Sequence, residues 1–129
     1  MDKNFQGRVI FAGDVSGRAL VYKDGLNVLD SYLDSRRALV NKIVCLPQTI
    51  GSTTGGMILQ TMIREGTAPI ALLFSNKIDP LAAAGVTLAR IWNQKTLISI
   101  DQLGDSFLQE VSNGNEIEIT SSGLISIRS

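Results

Sequence analysis

Residues 42–100 constrain this chain more than any other part, because three short apolar runs alternate there with two helix-length segments. Lys42-Ile43-Val44-Cys45-Leu46, Ile70-Ala71-Leu72-Leu73-Phe74 and Lys95-Thr96-Leu97-Ile98-Ser99-Ile100 each read as a strand. The second is apolar throughout, the pattern of a strand covered on both faces. Between the first two, Met57, Ile58, Thr61 and Met62 recur on one helical face. Glu65-Gly66-Thr67-Ala68-Pro69 then ends that helix with a glycine and a later proline. Residues 81–93 form the second helix, where Ala82-Ala83-Ala84-Gly85 suits close packing on a sheet, and Trp92 is read as core or interface. Asp79 before Pro80 fits an N-cap with proline at the first helical position. Strand, helix, strand, helix, strand makes two crossover units, hence a parallel sheet with right-handed connections.

The flanks have a different character. Arg8-Val9-Ile10-Phe11-Ala12-Gly13 and Arg18-Ala19-Leu20-Val21-Tyr22, separated by the turn Asp14-Val15-Ser16-Gly17, predict an N-terminal hairpin. Glu116-Ile117-Glu118-Ile119-Thr120 and Leu124-Ile125-Ser126-Ile127 alternate strictly about a turn, predicting a second hairpin with one buried face. Residues 26–39 read as loop with one helical turn, and 102–108 as a short turn. Paired with each other, the hairpins make a second sheet on the face of the parallel sheet away from the helices. The expected fold is α/β, a three-layer β/β/α arrangement in a single domain over residues 1–129.

The stretch with most chemical promise is Pro47-Gln48-Thr49-Ile50-Gly51-Ser52-Thr53-Thr54-Gly55-Gly56. A glycine- and hydroxyl-rich loop between a strand and a helix presents backbone N–H groups and hydroxyls at the positive helix end, which suits an anion. The same residues also serve as ordinary helix caps and turns. The stretch matches neither the Walker pattern nor GxGxxG. Arg18, Arg36, Arg37 and Arg64 are candidate anion or partner contacts, and equally candidates for plain solvated charges.

Absences narrow the chemistry further. The chain of 129 residues has no histidine and one cysteine, Cys45. Imidazole general bases, imidazole metal sites and thiolate clusters are therefore excluded within this chain. Cys45, inside an apolar strand, reads as an inert small hydrophobe. Twelve basic and twelve acidic residues balance to zero formal charge, which argues against nucleic acid or an anionic membrane as partner. No apolar run approaches the roughly 20 residues of a membrane span, and Met1-Asp2-Lys3-Asn4-Phe5-Gln6 is not an apolar leader, so a cytoplasmic location is expected.

The chain as a whole resembles the swivelling β/β/α domain of aconitase X, its small subunit. The resemblance runs from about residue 7 to 127. It rests on Arg8-Val9-Ile10-Phe11-Ala12-Gly13 with Gly17-Arg18-Ala19-Leu20-Val21, and on Lys42-Ile43-Val44 leading to Pro47. Gly51-Ser52-Thr53-Thr54-Gly55, Ile63-Arg64-Glu65-Gly66-Thr67-Ala68-Pro69, Asp79-Pro80-Leu81-Ala82-Ala83-Ala84-Gly85 and Asn113-Gly114-Asn115-Glu116-Ile117 follow in the family's order. The resemblance implies a dehydratase (hydro-lyase) whose large subunit carries an iron–sulfur cluster, with this chain closing over it and binding no cofactor or metal of its own. It implies mevalonate 5-phosphate or a hydroxyproline-type acid as the small anionic substrate. Ser52 matches the first serine of the family's Gly-Ser-Ser motif, which implies that it is the base. Gly51, Thr53, Thr54, Gly55 and Gly56 would then shape the loop and contact the substrate anion. Ile50 stands where the family usually has arginine, Thr53 replaces the second serine, and residues 26–41 are shorter than the family's segment and lack its Val-Asp-Pro and His-Pro elements. A second reading stays open: a non-catalytic, stand-alone anion-binding or protein-interaction module of the same fold.

Overall fold

The computed structural model describes residues 2–34, 38–51 and 54–128. Ten strands and four helices follow in chain order: β1 (Lys3–Gln6), β2 (Arg8–Phe11), β3 (Val15–Val21), β4 (Leu26–Asn27), α1 (Val28–Asp34), β5 (Lys42–Leu46), β6 (Thr49–Ile50), α2 (Gly55–Glu65), β7 (Ala71–Phe74), α3 (Pro80–Asn93), β8 (Ile98–Asp101), α4 (Asp105–Glu110), β9 (Glu116–Ile119) and β10 (Leu124–Arg128). Strands β3, β5, β7 and β8 run parallel to one another, the central sheet expected from the crossover pattern. Here β5 and β7 alternate between two cores. Val44, Leu46, Leu72 and Phe74 face Leu59, Met62, Val86 and Ala89 of α2 and α3. Ile43, Cys45, Ala71 and Leu73 face Ile117, Ile119, Ile125 and Ile127 of the C-terminal hairpin. A strand with an apolar core on each side needs apolar residues at both alternations, which is why these runs are unbroken. Cys45 is wholly buried in the second core, and that burial pushes its thiol up to about 12, so it is unionised and inert.

The three layers stand, but the strands are connected differently from the expected pair of hairpins. β9 and β10 form the predicted hairpin, whereas β2 and β3 do not pair with each other. β3 pairs with β9 on one side and β5 on the other, so the hairpin layer continues from the parallel sheet through β3. β1, a strand that the sequence reading passed over, adds to β10, and β2 adds antiparallel to β8. The eight-stranded order is β1-β10-β9-β3-β5-β7-β8-β2, with β4 and β6 as a separate pair. The two edge strands, β1 and β2, are consecutive in the chain and joined only by Gly7, so the sheet curls until its edges meet. A Cβ at Gly7 would lie 2.5 Å from Ile100 Cγ2 and 2.8 Å from the Asp101 carbonyl oxygen, which leaves room for glycine alone. Two further points are local: the helical turn expected within residues 26–39 is a helix over Val28–Asp34, and Trp92, read as core or interface, is 58% exposed and so not core.

Asp101 pins the curled edge. Its buried carboxylate accepts Arg8 Nε–H and Nη2–H at 2.9 and 2.8 Å and the Ile78 N–H at 2.7 Å. Burial alone pushes the carboxyl up, but the Arg8 and Ile78 hydrogen bonds and the Arg8 charge outweigh it, and the net position is below the ordinary 3.8. Because the folded state holds this proton less tightly than the unfolded chain, the contribution is complete above about pH 4 and is lost as pH falls through the lower folded value. The urea midpoint is therefore expected to fall on acidification below about pH 4 in the wild type. In Asp101→Asn it should start lower at neutral pH and lose the part of that slope due to Asp101.

Candidate functional site at the carboxyl edge of the parallel sheet

The loop after β5 is held at its base by two neighbours. Thr49 and Ile50 pair in parallel with Leu26 and Asn27, stitching the loop to the chain that follows β3. From the other side, Asp79 Oδ1 accepts the Thr49 N–H at 2.8 Å, and Thr49 Oγ1–H donates to Asp79 Oδ2 at 2.5 Å. The same Oδ2 accepts the Ala82 N–H at 3.1 Å, so Asp79 caps α3, with Pro80 at its start, and anchors the loop at once. The cap was legible in sequence; the tie to Thr49 was not. Removing the carboxylate in Asp79→Ala is expected to cost about 2–3 kcal/mol, one cap plus the stranded Thr49 donors. A lower urea midpoint, with faster hydrogen exchange at Thr49 and Ala82, would register it.

Beyond Thr49 the chain turns through Gly51, whose φ of 106° lies in the left-handed region. A Cβ there would sit 2.6 Å from Asn27 Nδ2. Asn27 is fixed in turn, because its Oδ1 accepts the Asp30 N–H at 3.0 Å in the first turn of α1. Gly51 therefore lets the loop pass against a capping side chain where a larger residue would collide. Ile50 is 40% exposed beside it.

α2 starts at Gly55, and its first turn lies against the first turn of α3. A Cβ on Gly56 would meet the Leu81 carbonyl oxygen at 2.8 Å, and one on Gly85 would meet the Gly56 carbonyl oxygen at the same distance. The helices thus cross glycine to glycine. Of their two adjacent positive ends, that of α3 is neutralised by Asp79, while α2 has no acidic residue in its first turn. A negative group placed there is stabilised by the helix dipole and the first-turn N–H groups.

The loop residues singled out from sequence therefore separate by position. Gly51 and Thr54 are exposed at the loop, whereas Gly55 and Gly56 are buried, with Gly56 against α3. Ser52 and Thr53 lie outside the described residues, as do Arg36 and Arg37. Arg18 donates to the Gly114 carbonyl at 3.1 Å, and Arg64 is in the last turn of α2, away from the loop.

One group at this edge escaped the sequence reading. Ser75, at the end of β7, is 4% exposed, and its Oγ has no hydrogen-bond partner among the described residues. Its N–H donates to the Leu46 carbonyl at 3.0 Å, which places it beside the start of the loop. The only sequence signal for it was its position at the end of an apolar strand. Among the described residues no three His, Cys, Asp or Glu side chains stand close enough to hold a metal ion. With Cys45 buried and the only cysteine, this chain does not fit an iron–sulfur cluster of its own.

Two β layers and one helix layer, with a loop opening onto a helix start, define a swivelling β/β/α domain. The chain belongs to the aconitase X swivel domain family, whose model matches residues 4–127. The phosphomevalonate dehydratase small subunit of Aeropyrum pernix is 25% identical, the alignment covering 95% of this chain and 92% of that one. The protein of the same name from Methanosarcina acetivorans is 23% identical over 91% and 85%. The crystal structure of aconitase X from Thermococcus kodakaraensis superposes with a TM-score of 0.80 at 19% identity, covering 98% of this chain and 99% of that one. That likeness establishes the fold. No helix among the described residues is long and apolar enough to cross a membrane.

Proposed function

We propose that this chain is the small, swivelling subunit of a cytoplasmic aconitase X-type dehydratase acting on mevalonate 5-phosphate. The observation that carries the reading is the family match over residues 4–127, with small-subunit relatives aligned along nearly the whole chain. The large subunit holds the iron–sulfur cluster and closes the site, since this chain lacks ligands for one. In this reading an anionic group of the substrate rests at the start of α2, bounded by Gly51, Thr53, Thr54, Gly55 and Gly56, where the helix end is not neutralised. Ser52 Oγ, as the alkoxide, takes a proton from the carbon beside the hydroxyl-bearing carbon. The freed electron pair forms the new double bond as the C–O bond breaks, and the departing hydroxide takes up a proton from solvent to leave as water. A serine is a weak base, so N–H groups at the loop and helix start must stabilise the oxyanion that accepts the proton.

Turnover tests it. The chain combined anaerobically with its large subunit should convert mevalonate 5-phosphate to a dehydrated phosphate ester, followed by phosphorus and proton NMR. An iron-loaded complex with no activity on this compound, but activity on a hydroxyproline-type acid, would keep the dehydratase and replace the substrate.

One observation favours a second reading, a non-catalytic anion-binding or interaction module. Ile50 is exposed at the loop where the resemblance expects an arginine, and an apolar side chain cannot clamp an anion. Failure of the chain to form any complex, combined with anion binding by the chain alone, would select that reading.

A further inference from the structure

The opposite end of the parallel sheet holds a solvent-open cavity of about 480 Å³, formed where α2 ends and the chain enters β5, β7 and β8. Val40, Ile63, Ala68, Pro69, Ile70 and Leu97 supply its apolar walls, and Asn41, Lys95 and Thr96 its polar edge. The length of β5 separates it from loop 47–54 by roughly 16 Å. Lys95 Nζ–H donates to the Arg64 carbonyl oxygen at 3.0 Å. That bond holds the ammonium at the last turn of α2 and leaves two N–H donors available. Among the described residues no carboxylate pairs with Lys95, and the nearby acid Glu65 accepts the Tyr32 hydroxyl instead. The volume is that of a small-molecule site, about 300–1,000 Å³. Apolar walls suit an apolar body, and the solvent-exposed Lys95 ammonium at the rim, with two donors free and no carboxylate partner among the described residues, is placed to meet an anionic head.

We propose that this cavity is a second binding site, separate from the candidate catalytic loop, for a small amphipathic anion. The apolar body lies along Ile63, Pro69, Ile70 and Leu97, and a phosphate or carboxylate head meets Lys95 with the Thr96 hydroxyl and the Asn41 amide alongside.

Trp92, the single tryptophan, is exposed and only one turn of chain before Lys95, so energy transfer from it to 8-anilinonaphthalene-1-sulfonate reports occupancy at this end. The full chain is titrated with that dye and the dye displaced with octyl phosphate, octanoate, 1-octanol or inorganic phosphate. One dye per chain should bind, and octyl phosphate or octanoate should displace it at least tenfold more effectively than octanol or inorganic phosphate. Which of the two anions competes better assigns the head group. Lys95→Ala should weaken octyl phosphate about tenfold, the worth of one charge-assisted hydrogen bond, and Lys95→Arg should restore most of it. Ala68→Phe, which fills the cavity from its wall, should abolish dye binding; if that variant does not fold, the exposed Lys95 pair carries the test alone. Non-saturating dye binding, equal displacement by octanol, or indifference to Lys95→Ala would overturn the proposal.

Discussion

Ser52→Ala is expected to leave the two-subunit complex assembled and to lower its turnover by roughly 10²–10⁴-fold, the usual contribution of a positioned general base. β5, the Asp79 tie to Thr49 and the glycine crossing of α2 on α3 fix the ends of the loop. A hydroxyl-to-hydrogen change there should therefore spare folding and assembly. If the hydroxyl accepts the substrate proton, KM should move little while kcat collapses. Ser52→Thr restores a hydroxyl but restricts the side chain, and it should recover only part of the rate. A large rise in KM with kcat preserved would instead assign Ser52 to binding.

The second large effect is on stability. Gly56→Val is expected to cost about 2–3 kcal/mol, because the added side chain meets a backbone carbonyl that cannot rotate away. For a domain of this size that lowers the melting temperature by roughly 6–12 °C. Gly55→Ala is the internal control: among the described residues the nearest contact of an added Cβ outside the helix backbone is Leu81 Cδ1 at 4.0 Å. It should melt within a few degrees of wild type, on the stabilising side if at all. Two neighbouring glycines of one motif thus have opposite tolerances, and a melting curve of each variant separates packing from chain flexibility. Equal losses at both positions would refute the close helix crossing as the cause.

The parallel centre was legible in the sequence because β5 and β7 are buried on both faces, and that condition writes itself as an unbroken apolar run. The C-terminal hairpin was legible for the complementary reason: Ile117, Ile119, Ile125 and Ile127 face one core and the residues between them face outward. What stayed hidden was decided by contacts distant in the chain. β1 is mostly polar, with Phe5 as its one large apolar residue, and Phe5 meets the Phe107 ring edge-on at 5.4 Å. Nothing local distinguishes such a strand from a tail. β2 and β3 have the composition of a hairpin, yet β2 is drawn to β8 by Asp101 and by the close approach at Gly7, neither of which a local pattern contains.

The candidate site divides in the same way. A glycine- and hydroxyl-rich loop between strand and helix is a local feature, and the structure places it at the carboxyl edge of a parallel sheet, where ligands of such sheets bind. Which glycine faces the loop and which packs on a helix depends on Gly85 and Leu81 in another element. The same holds for Asp79, whose cap is written in Asp79-Pro80 but whose hold on Thr49 is not. Ser75 gave no signal beyond its place at the end of an apolar strand, because whether its hydroxyl finds a partner among the described residues depends on what surrounds it.

The most direct test of the central claim is recovery of the tagged chain from its native cells under anaerobic conditions, with iron analysis of whatever co-elutes. A larger partner in equal amount is expected, with iron that travels with that partner. Recovery of this chain alone, free of iron, would contradict the subunit assignment and leave an anion-binding module.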